Sequence, residues 1–138
     1  MLARLRKAQE NDESGFTLIE LLVVIIIIGI LAAIAIPTFL KQREKGWLAA
    51  VKSDVKNAVT AEESYATDNN GSYFSGTHTT AALTTEGFNG SSDVTLVMTA
   101  SGTANTVLKI CGDHGKLTNK SVLFENGQTT VKNTENCA

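Results

Sequence analysis

The chain has 138 residues and a formal net charge of −2, so one small domain is the expected organisation. The near-neutral charge gives no support for bulk nucleic-acid binding, which requires a clustered basic surface. The average composition hides an asymmetry: residues 1–15 are polar and charged, residues 16–36 are almost wholly apolar, and the remainder is rich in Thr, Ser, Asn and Gly.

The apolar segment carries no charge between Leu21 and Ile36. As a helix, the 21 residues from Phe16 to Ile36 would span about 31 Å, close to the thickness of the hydrocarbon core of a bilayer. A domain of this size cannot easily bury a helix that is apolar on every side. The segment is therefore predicted to lie in a membrane, or in the centre of a helical assembly that replaces the membrane.

Three residues distinguish this segment from an ordinary membrane anchor. Glu20 places an ionisable group near its start, which is costly in a bilayer and usually marks function. Gly29 lowers helix propensity by about 1 kcal/mol relative to Ala, and Pro37 has no N–H to donate to the carbonyl of Ala33. The stretch from Gly29 to Pro37 is predicted to be the weakest part of the helix, where it either unwinds during assembly or bends gently at the proline.

A cleaved secretory signal peptide is an alternative interpretation of the N-terminal region. Ala33-Ile34-Ala35 offers a small-residue cleavage site, and basic residues precede the apolar run. Against this interpretation, Glu10, Asp12 and Glu13 cancel the basic charge, and the run is longer than an ordinary signal core. Basic residues flank the run on both sides, so charge alone does not determine its orientation.

The segment Gly15-Phe16-Thr17-Leu18-Ile19-Glu20, followed by the apolar run, is similar to the class III signal of type IV pilins and related pseudopilins. The resemblance is close from Gly15 to about Lys41. It implies cleavage by a prepilin peptidase between Gly15 and Phe16, and N-methylation of Phe16 as the new N-terminal residue. It also implies that Glu20 is the conspicuous acid of the motif, five residues into the mature chain.

Cleavage before Phe16 would give Glu20 a chemical partner. A cationic amine at Phe16 in a low-dielectric environment requires an anion, and an unpaired acid there is strongly disfavoured. In a helical stack, the amine of one subunit would meet Glu20 of a neighbour and set the axial register between subunits. The alternative is a tolerated charge that snorkels to a membrane interface.

Beyond Pro37 the sequence becomes amphipathic. Mostly apolar residues recur at three- and four-residue steps, which predicts a helix with one buried face. The helix is predicted to end before Asp68-Asn69-Asn70-Gly71. The positions on this face are Leu48, Val51, Val55, Ala58, Val59, Glu62 and Tyr65. Trp47 is either an interfacial anchor beside the bilayer or a residue that packs under the head.

The last part of the chain is predicted to form a sheet after a loop over residues 72–92. The predicted strands are Val94–Met98, Thr106–Ile110 (ending at Cys111-Gly112), Ser121–Glu125 and Gln128–Lys132. Asn126-Gly127 suits a two-residue type I′ turn between the last two strands. The sequence therefore predicts an α+β fold, the pilin fold, in which a long N-terminal helix packs against a small antiparallel sheet.

Two cysteines, Cys111 and Cys137, lie in the last third of the chain. If this part is exported, an intramolecular disulfide is expected. Closing a loop of this length contributes about 3 to 4 kcal/mol in the chain-entropy model. Two buried free thiols are the alternative.

Residues with catalytic or metal-binding potential are sparse. His78 and His114 have no further ligands at metal-ligand spacing, so no metal site is predicted. Asp113-His114 is assigned to a turn bounded by Gly112 and Gly115 rather than to catalysis. No enzyme activity and no cofactor are predicted.

A group of lysines raises the question of a basic patch. They form either a small patch for DNA or the solvated face of the sheet. The four are Lys109, Lys116, Lys120 and Lys132.

The resemblance completes the expected organisation. The segments are a leader over 1–15 removed by prepilin peptidase, an apolar membrane-spanning and filament-core helix over 16–37, an amphipathic helix half over 38–67, a connecting loop over 68–92, and a sheet head with a disulfide-closed C-terminal loop over 93–138. The expected function is that of a structural subunit, the major pilin, of a type IV pilus. The alternative is a pseudopilin of a type II secretion or competence DNA-uptake system.

The expected partners are identical subunits in a helical filament, the prepilin peptidase, the assembly machinery, minor pilins, and membrane lipid before assembly. The precursor is expected to cross the bacterial cytoplasmic membrane once, and the assembled subunit to lie in a cell-surface filament. A competing class is an anchored binding module or enzyme, which predicts a monomer in which Phe16 and Glu20 are dispensable. Motility, adhesion, secretion and DNA uptake stay open as uses of the filament.

Overall fold

The computed structural model describes residues 15–77, 81–133 and 137. They form α1 (Leu18–Asp68), β1 (Gly76–Thr77), α2 (Ala81–Thr85), β2 (Val94–Ser101), a 3₁₀ turn (Thr103–Asn105), β3 (Val107–His114), β4 (Ser121–Glu125) and β5 (Gln128–Lys132). The chain divides into two compact units, Met1–Leu40 and Lys41–Ala138. Apart from Gly15, the predicted leader lies outside the described residues, as does His78.

Helix α1 has 51 residues and contains Pro37. It ends within the predicted Asp68-Asn69-Asn70-Gly71 stop, because Asn70 and Gly71 adopt left-handed φ angles of 56° and 81°. The Gly71 N–H donates to the carbonyl of Ala66 at 2.8 Å, a bond that satisfies a carbonyl left free at a helix end.

In the first unit, the large apolar side chains of α1 are exposed on every side of the helix. Their exposed fractions run from 46% at Leu22 to 81% at Leu18. Among the described residues, α1 is the helix that is long and apolar enough to cross a membrane. The predicted apolar helix is thus present, and residues 15–40, the part of the first unit that the structure describes, provide no protein surface that covers it.

In the second unit, five antiparallel strands form one sheet in the order β1-β2-β3-β4-β5. The β4–β5 hairpin has the predicted turn: Glu125 pairs with Gln128, and Asn126 and Gly127 have φ angles of 53° and 77°. Positive φ at both central residues is the requirement of a type I′ turn. The α+β fold predicted from the sequence is confirmed.

The core of the second unit lies between α1 and the inner face of the sheet. Val51, Val55, Ala58 and Glu62, four positions of the predicted helix face, are fully buried. Alternate residues of β2 and β3 face them, as expected for strands with one buried face. These are Val94, Leu96, Met98, Leu108 and Ile110.

Apart from small shifts of strand ends, such as the extension of β2 to Ser101, the sheet differs from the prediction in two places. The predicted loop contains two short elements, β1 and α2, and β1 adds a fifth strand beside β2. The predicted end of a strand at Cys111-Gly112 is wrong, because β3 continues to His114. Asp113 and His114 are therefore strand residues, and the turn begins after them, where the Leu117 N–H donates to the His114 carbonyl at 2.8 Å.

The continuation of β3 through Gly112 has a packing reason. A Cβ at Gly112 would lie 2.6 Å from Leu96 Cδ2, 2.8 Å from Val51 Cγ1 and 3.0 Å from Val55 Cγ2. This glycine therefore marks the close approach of α1 to the sheet, and it does not end the strand.

Candidate functional site

Helix α1 begins at a capping box formed by Thr17 and Glu20. The Glu20 backbone N–H donates to Thr17 Oγ1 at 3.2 Å, and the Thr17 N–H donates to Glu20 Oε2 at 3.4 Å. The Thr17 N–H thus gains a side-chain acceptor, and the Glu20 N–H, which also donates to the Thr17 carbonyl at 3.1 Å, gains a second acceptor. Thr17 was missed as a functional residue by the sequence reasoning, although the pattern Thr-x-x-Glu before an apolar run is its signal.

The capping box leaves the Glu20 carboxylate open to a second partner. Its Oε2 accepts from the Thr17 N–H and from Thr17 Oγ1, both at 3.4 Å, the long end of hydrogen-bond distances. Among the described residues, no cation lies within ion-pair distance of Glu20. Gly15, Phe16 and Thr17 precede the helix and are exposed, and Phe16 has an exposed fraction of 78%. The peptide bond between Gly15 and Phe16 is thus accessible.

The structure places Gly29 and Pro37 inside an uninterrupted helix. A Cβ at Gly29 would meet nothing within 4 Å, so no contact within the subunit requires a glycine there. One turn after Ile34, Thr38 Oγ1 donates to the Ile34 carbonyl at 3.0 Å, a bond that often accompanies helix bending. Unwinding between Gly29 and Pro37 stays a prediction about the assembled state.

The predicted disulfide is present between Cys111 and Cys137, whose Cα atoms are 5.4 Å apart. Cys111 alternates with the buried residues Ile110 and Gly112 of β3, so the bond lies on the outer face of the sheet. The sequence separation is 26 residues, and the bond ties the end of the chain back to a central strand.

Two buried acids of α1 hold the ends of the connecting segment between α1 and β2. Asp54 Oδ2 accepts from the Ser91 N–H at 2.8 Å, and its Oδ1 accepts from Ser91 Oγ at 3.2 Å. Glu62 Oε2 accepts from the Phe74 N–H at 2.9 Å. The sequence placed Glu62 on the buried face without a role, and it missed Asp54 altogether. Each buried carboxylate thus has at least one backbone N–H as a hydrogen-bond partner, which offsets part of the cost of burying it.

Burial carries an electrostatic cost for Glu62. It is fully buried, and its Oε1 has no hydrogen-bond partner among the described residues. Burial raises the pKa of the Glu62 carboxyl to about 7, and the Phe74 N–H opposes this rise. Burial therefore favours the protonated form of this acid.

A series of cation–π and aromatic contacts lies at the start of the second unit. The Arg43 guanidinium lies 5.1 Å from the centroid of the Trp47 ring, and the Trp47 ring lies 5.6 Å from that of His114. His114 Nδ1 accepts from the Lys116 N–H at 3.1 Å. Of the two alternatives for Trp47, these contacts favour packing under the head, and they give His114 a structural role.

Three of the four lysines considered as a basic patch face carboxylates. Lys116 pairs with Asp93 at 3.1 Å, and Lys120 pairs with Glu44. Lys109 stands opposite Glu125 in the β3–β4 register, where opposite charges attract. This arrangement favours a solvated sheet face over a DNA-binding patch. Within the described parts of the chain, no group of three His, Cys, Asp or Glu residues is placed to hold a metal ion.

Comparisons with known proteins agree on the N-terminal segment. Residues 11–36 match the family model described as the prokaryotic N-terminal methylation motif. The chain is 36% identical over 133 residues to the type IV wide pilus major component PilA4 of Thermus thermophilus, covering 92% of this chain and 98% of that protein.

Two further relatives are matched over shorter stretches. Identity to the type IV major pilin protein PilA of Myxococcus xanthus is 51% over 51 residues, 37% of this chain and 23% of that protein. Identity to the type II secretion system core protein G of Pseudomonas aeruginosa is 39% over 61 residues, 44% of this chain and 43% of that protein. The chain thus spans less than half the length of these two relatives. No solved structure matches the chain significantly.

Proposed function

The chain belongs to the type IV pilin family, and on this premise we propose that it is the major structural subunit of a type IV pilus. The relative that it covers almost completely is named as a major pilus component. The relatives are named as components of pili and of a secretion system, which supports a structural role rather than catalysis.

The observation that carries this proposal is the exposed apolar half of α1. Large apolar side chains from Leu18 to Leu40 are exposed, at fractions of 46% or more, and burying one such side chain contributes about 1.5 to 3 kcal/mol. A single subunit in water therefore lacks the large stabilisation that burial of these side chains would provide. The segment resides in the cytoplasmic membrane before assembly, as a single span, and packs against the same segment of other subunits in the filament.

The N-terminal geometry supports the proposed processing and register. Gly15 and Phe16 lie in an exposed, non-helical stretch, which suits cleavage by prepilin peptidase and methylation of the amine freed at Phe16. Because the capping box holds Glu20 only through long hydrogen bonds, its carboxylate can also receive the Phe16 amine of a neighbouring subunit. The pairing sets the axial register in a low-dielectric filament core. The assembly machinery and minor pilins are the further partners.

Mass spectrometry of protein sheared from cells tests the processing. The expected N-terminal peptide begins at N-methylated Phe16, and intact protein is lighter by two hydrogens because Cys111 and Cys137 are joined. A chain that begins near Ile36 would instead indicate ordinary signal cleavage, and the filament proposal would fall.

Substitution of Glu20 tests the register. Glu20→Ala is expected to leave membrane insertion and cleavage intact and to abolish sheared filaments, because the Phe16 amine loses its partner. Thr17→Ala is the matched control, since it removes the capping box but keeps the acid; a loss of the cap costs about 0.5 to 2 kcal/mol of helix stability and should leave filaments in place. Equal loss of filaments in both variants would assign Glu20 to capping alone.

The similarity to a type II secretion system core protein G favours one alternative, a pseudopilin. That alternative predicts a defect in protein secretion, without surface filaments, when the chain is deleted. The major-pilin proposal predicts the loss of surface filaments with secretion unchanged.

A further inference from the structure

Four lysines form a stripe along one flank of α1. Lys41, Lys45, Lys52 and Lys56 are separated by 4, 7 and 4 residues, so they fall within a sector of about 60° around the helix axis. All four are exposed. Among the described residues, no carboxylate lies within ion-pair distance of any of them. The head therefore presents a line of positive charge that no acid of its described residues neutralises through an ion pair.

The second half of this stripe borders a groove. Lys52 and Lys56 line it together with Val59, Phe124 and Thr129, and its volume is about 370 Å³. Thr129 stands opposite Phe124 in the β4–β5 register, so β5 extends the inner face of the sheet beyond the helix. Every residue of β5 is exposed. The groove thus has a partly apolar floor, a cationic rim on α1 and an open side at β5.

The opposite flank of α1 carries acids. Ser64 Oγ donates to Glu86 Oε2 at 2.7 Å, which fixes the Glu86 loop beside the helix. Asp68 is exposed on the same flank. Ser64 and Asp68 lie about 120° around the helix axis from Lys52 and Lys56, on the far side of the exposed face. One flank of α1 therefore carries the four lysines, with Glu63 as an acid one to two turns beyond Lys56, and the other flank carries acids.

We propose that the groove between α1 and β5 receives Glu86 of a second copy of this chain, with Lys52 and Lys56 as the partners of its carboxylate. This inference rests on the proposed filament function. A filament built from one kind of subunit joins two different patches of that subunit in a head-to-tail contact, which must be complementary and must not close on itself. The basic and acidic flanks satisfy the first condition.

The axial positions of the two patches satisfy the second condition. Lys52 and Lys56 precede Ser64, the anchor of Glu86, by 12 and 8 residues. This separation places the acid about 12 to 18 Å further along the helix axis than the lysines. When Glu86 of one subunit meets the lysines of the next, that subunit is displaced by this distance along the axis. The contact therefore repeats as a staggered, open helical array.

Charge exchange in the full chain, expressed in its own cells, tests the pairing. Glu86→Lys and the double variant Lys52→Glu/Lys56→Glu are each expected to lower the amount of sheared filament several-fold. The triple variant that combines them is expected to restore it. Lys132→Glu, an exposed lysine on β5, is the matched control and should leave filaments unchanged. Normal filament amounts in both charge-reversed variants, or a triple variant without recovery, would overturn the inference.

Cysteine cross-linking keeps the test independent of stability changes in these variants. With Lys56→Cys and Glu86→Cys in one chain, oxidised filaments are expected to give a ladder of disulfide-linked subunits, whereas each single variant gives none. Cys111 and Cys137 are already joined. If wild-type filaments contain the chain but double-cysteine filaments give no ladder, the groove inference is contradicted and the proposed function is not. Absence of the wild-type chain from sheared filaments contradicts the proposed function itself.

A lipid occupant of the groove predicts a different result. Full-length Lys52→Glu/Lys56→Glu subunits would then assemble normally, and they would lose binding to phosphatidylglycerol vesicles that the wild-type subunit retains. That pair of results would also overturn the assignment to a second copy.

Discussion

Gly112→Ala is the substitution that most directly tests the close packing of α1 on the sheet. The new methyl group would lie 2.6 Å from Leu96 Cδ2, 2.8 Å from Val51 Cγ1 and 3.0 Å from Val55 Cγ2, well inside van der Waals contact. These three side chains are at most 1% exposed, so they cannot move aside into solvent. Overpacking of a core costs about 1 to 3 kcal/mol, and three fixed neighbours place this case near 3.

Urea unfolding of the full chain in detergent micelles measures this cost. Trp47 is the single tryptophan, and its ring lies 5.6 Å from that of His114 at the end of β3, so its fluorescence reports the head. With a urea dependence of about 1 to 3 kcal/mol per M, Gly112→Ala is expected to lower the midpoint by about 1 to 3 M.

Gly115→Ala is the matched control, because a Cβ there would meet nothing within 4 Å. It is expected to change the free energy of unfolding by no more than about 0.5 kcal/mol. The reasoning would be refuted by a Gly112→Ala midpoint that coincides with that of the control. Such a result would mean that the helix and the sheet can separate at this point without loss of stability.

Two further predictions concern the buried acids. Burial raises the pKa of Glu62 from 4.5 to about 7, so the folded head binds the proton more tightly than the unfolded chain does. The free energy of unfolding should therefore fall as the pH rises from about 4.5 to 7, by at most about 3 kcal/mol. In urea titrations at several pH values, Glu62→Gln should remove this pH dependence of the free energy of unfolding, whereas Glu63→Gln should keep it. An equal pH dependence in the two variants would refute the assignment of the effect to Glu62. Asp54→Ala should lower the free energy of unfolding by about 1.5 to 3 kcal/mol and speed hydrogen exchange at the Ser91 amide. Unchanged exchange there would count against the hydrogen bond from Ser91 to Asp54 as a stabilising contact.

The parts of the fold that follow from local chemistry were predictable from the sequence. A run without charges from Leu21 to Ile36 leaves few alternatives to an apolar helix. Asn126-Gly127 between two β-prone segments fixes a turn type through backbone sterics alone. The helix end at Asp68 was set in the same way, by residues that readily adopt left-handed backbone angles.

The parts that were missed depend on contacts between distant segments. Gly112 resembles a strand breaker in the sequence, and only the approach of Val51 from α1 shows why β3 continues through it. The bond from Ser91 to Asp54 joins residues 37 positions apart, and no local pattern indicates such a partner. The strand β1 has two residues, too few for a periodicity signal, and it forms by pairing with β2.

The same limit applies to the candidate site. The proposed cleavage residues and Glu20 could be predicted because their spacing is local, whereas the Glu86 flank and the β5 groove arise only after folding. The core that holds the head lies between α1 and the sheet within the second unit, and the apolar half of α1 contributes no buried residue to it. The free energy of burying that half is therefore not used in folding the head, and it stays available for membrane residence and then for assembly. Exposed ion pairs contribute little individually, so the charged flanks of the head do not supply the bulk of the free energy of assembly. Their role is to select the neighbour, and the axial displacement, at which the apolar helices pack.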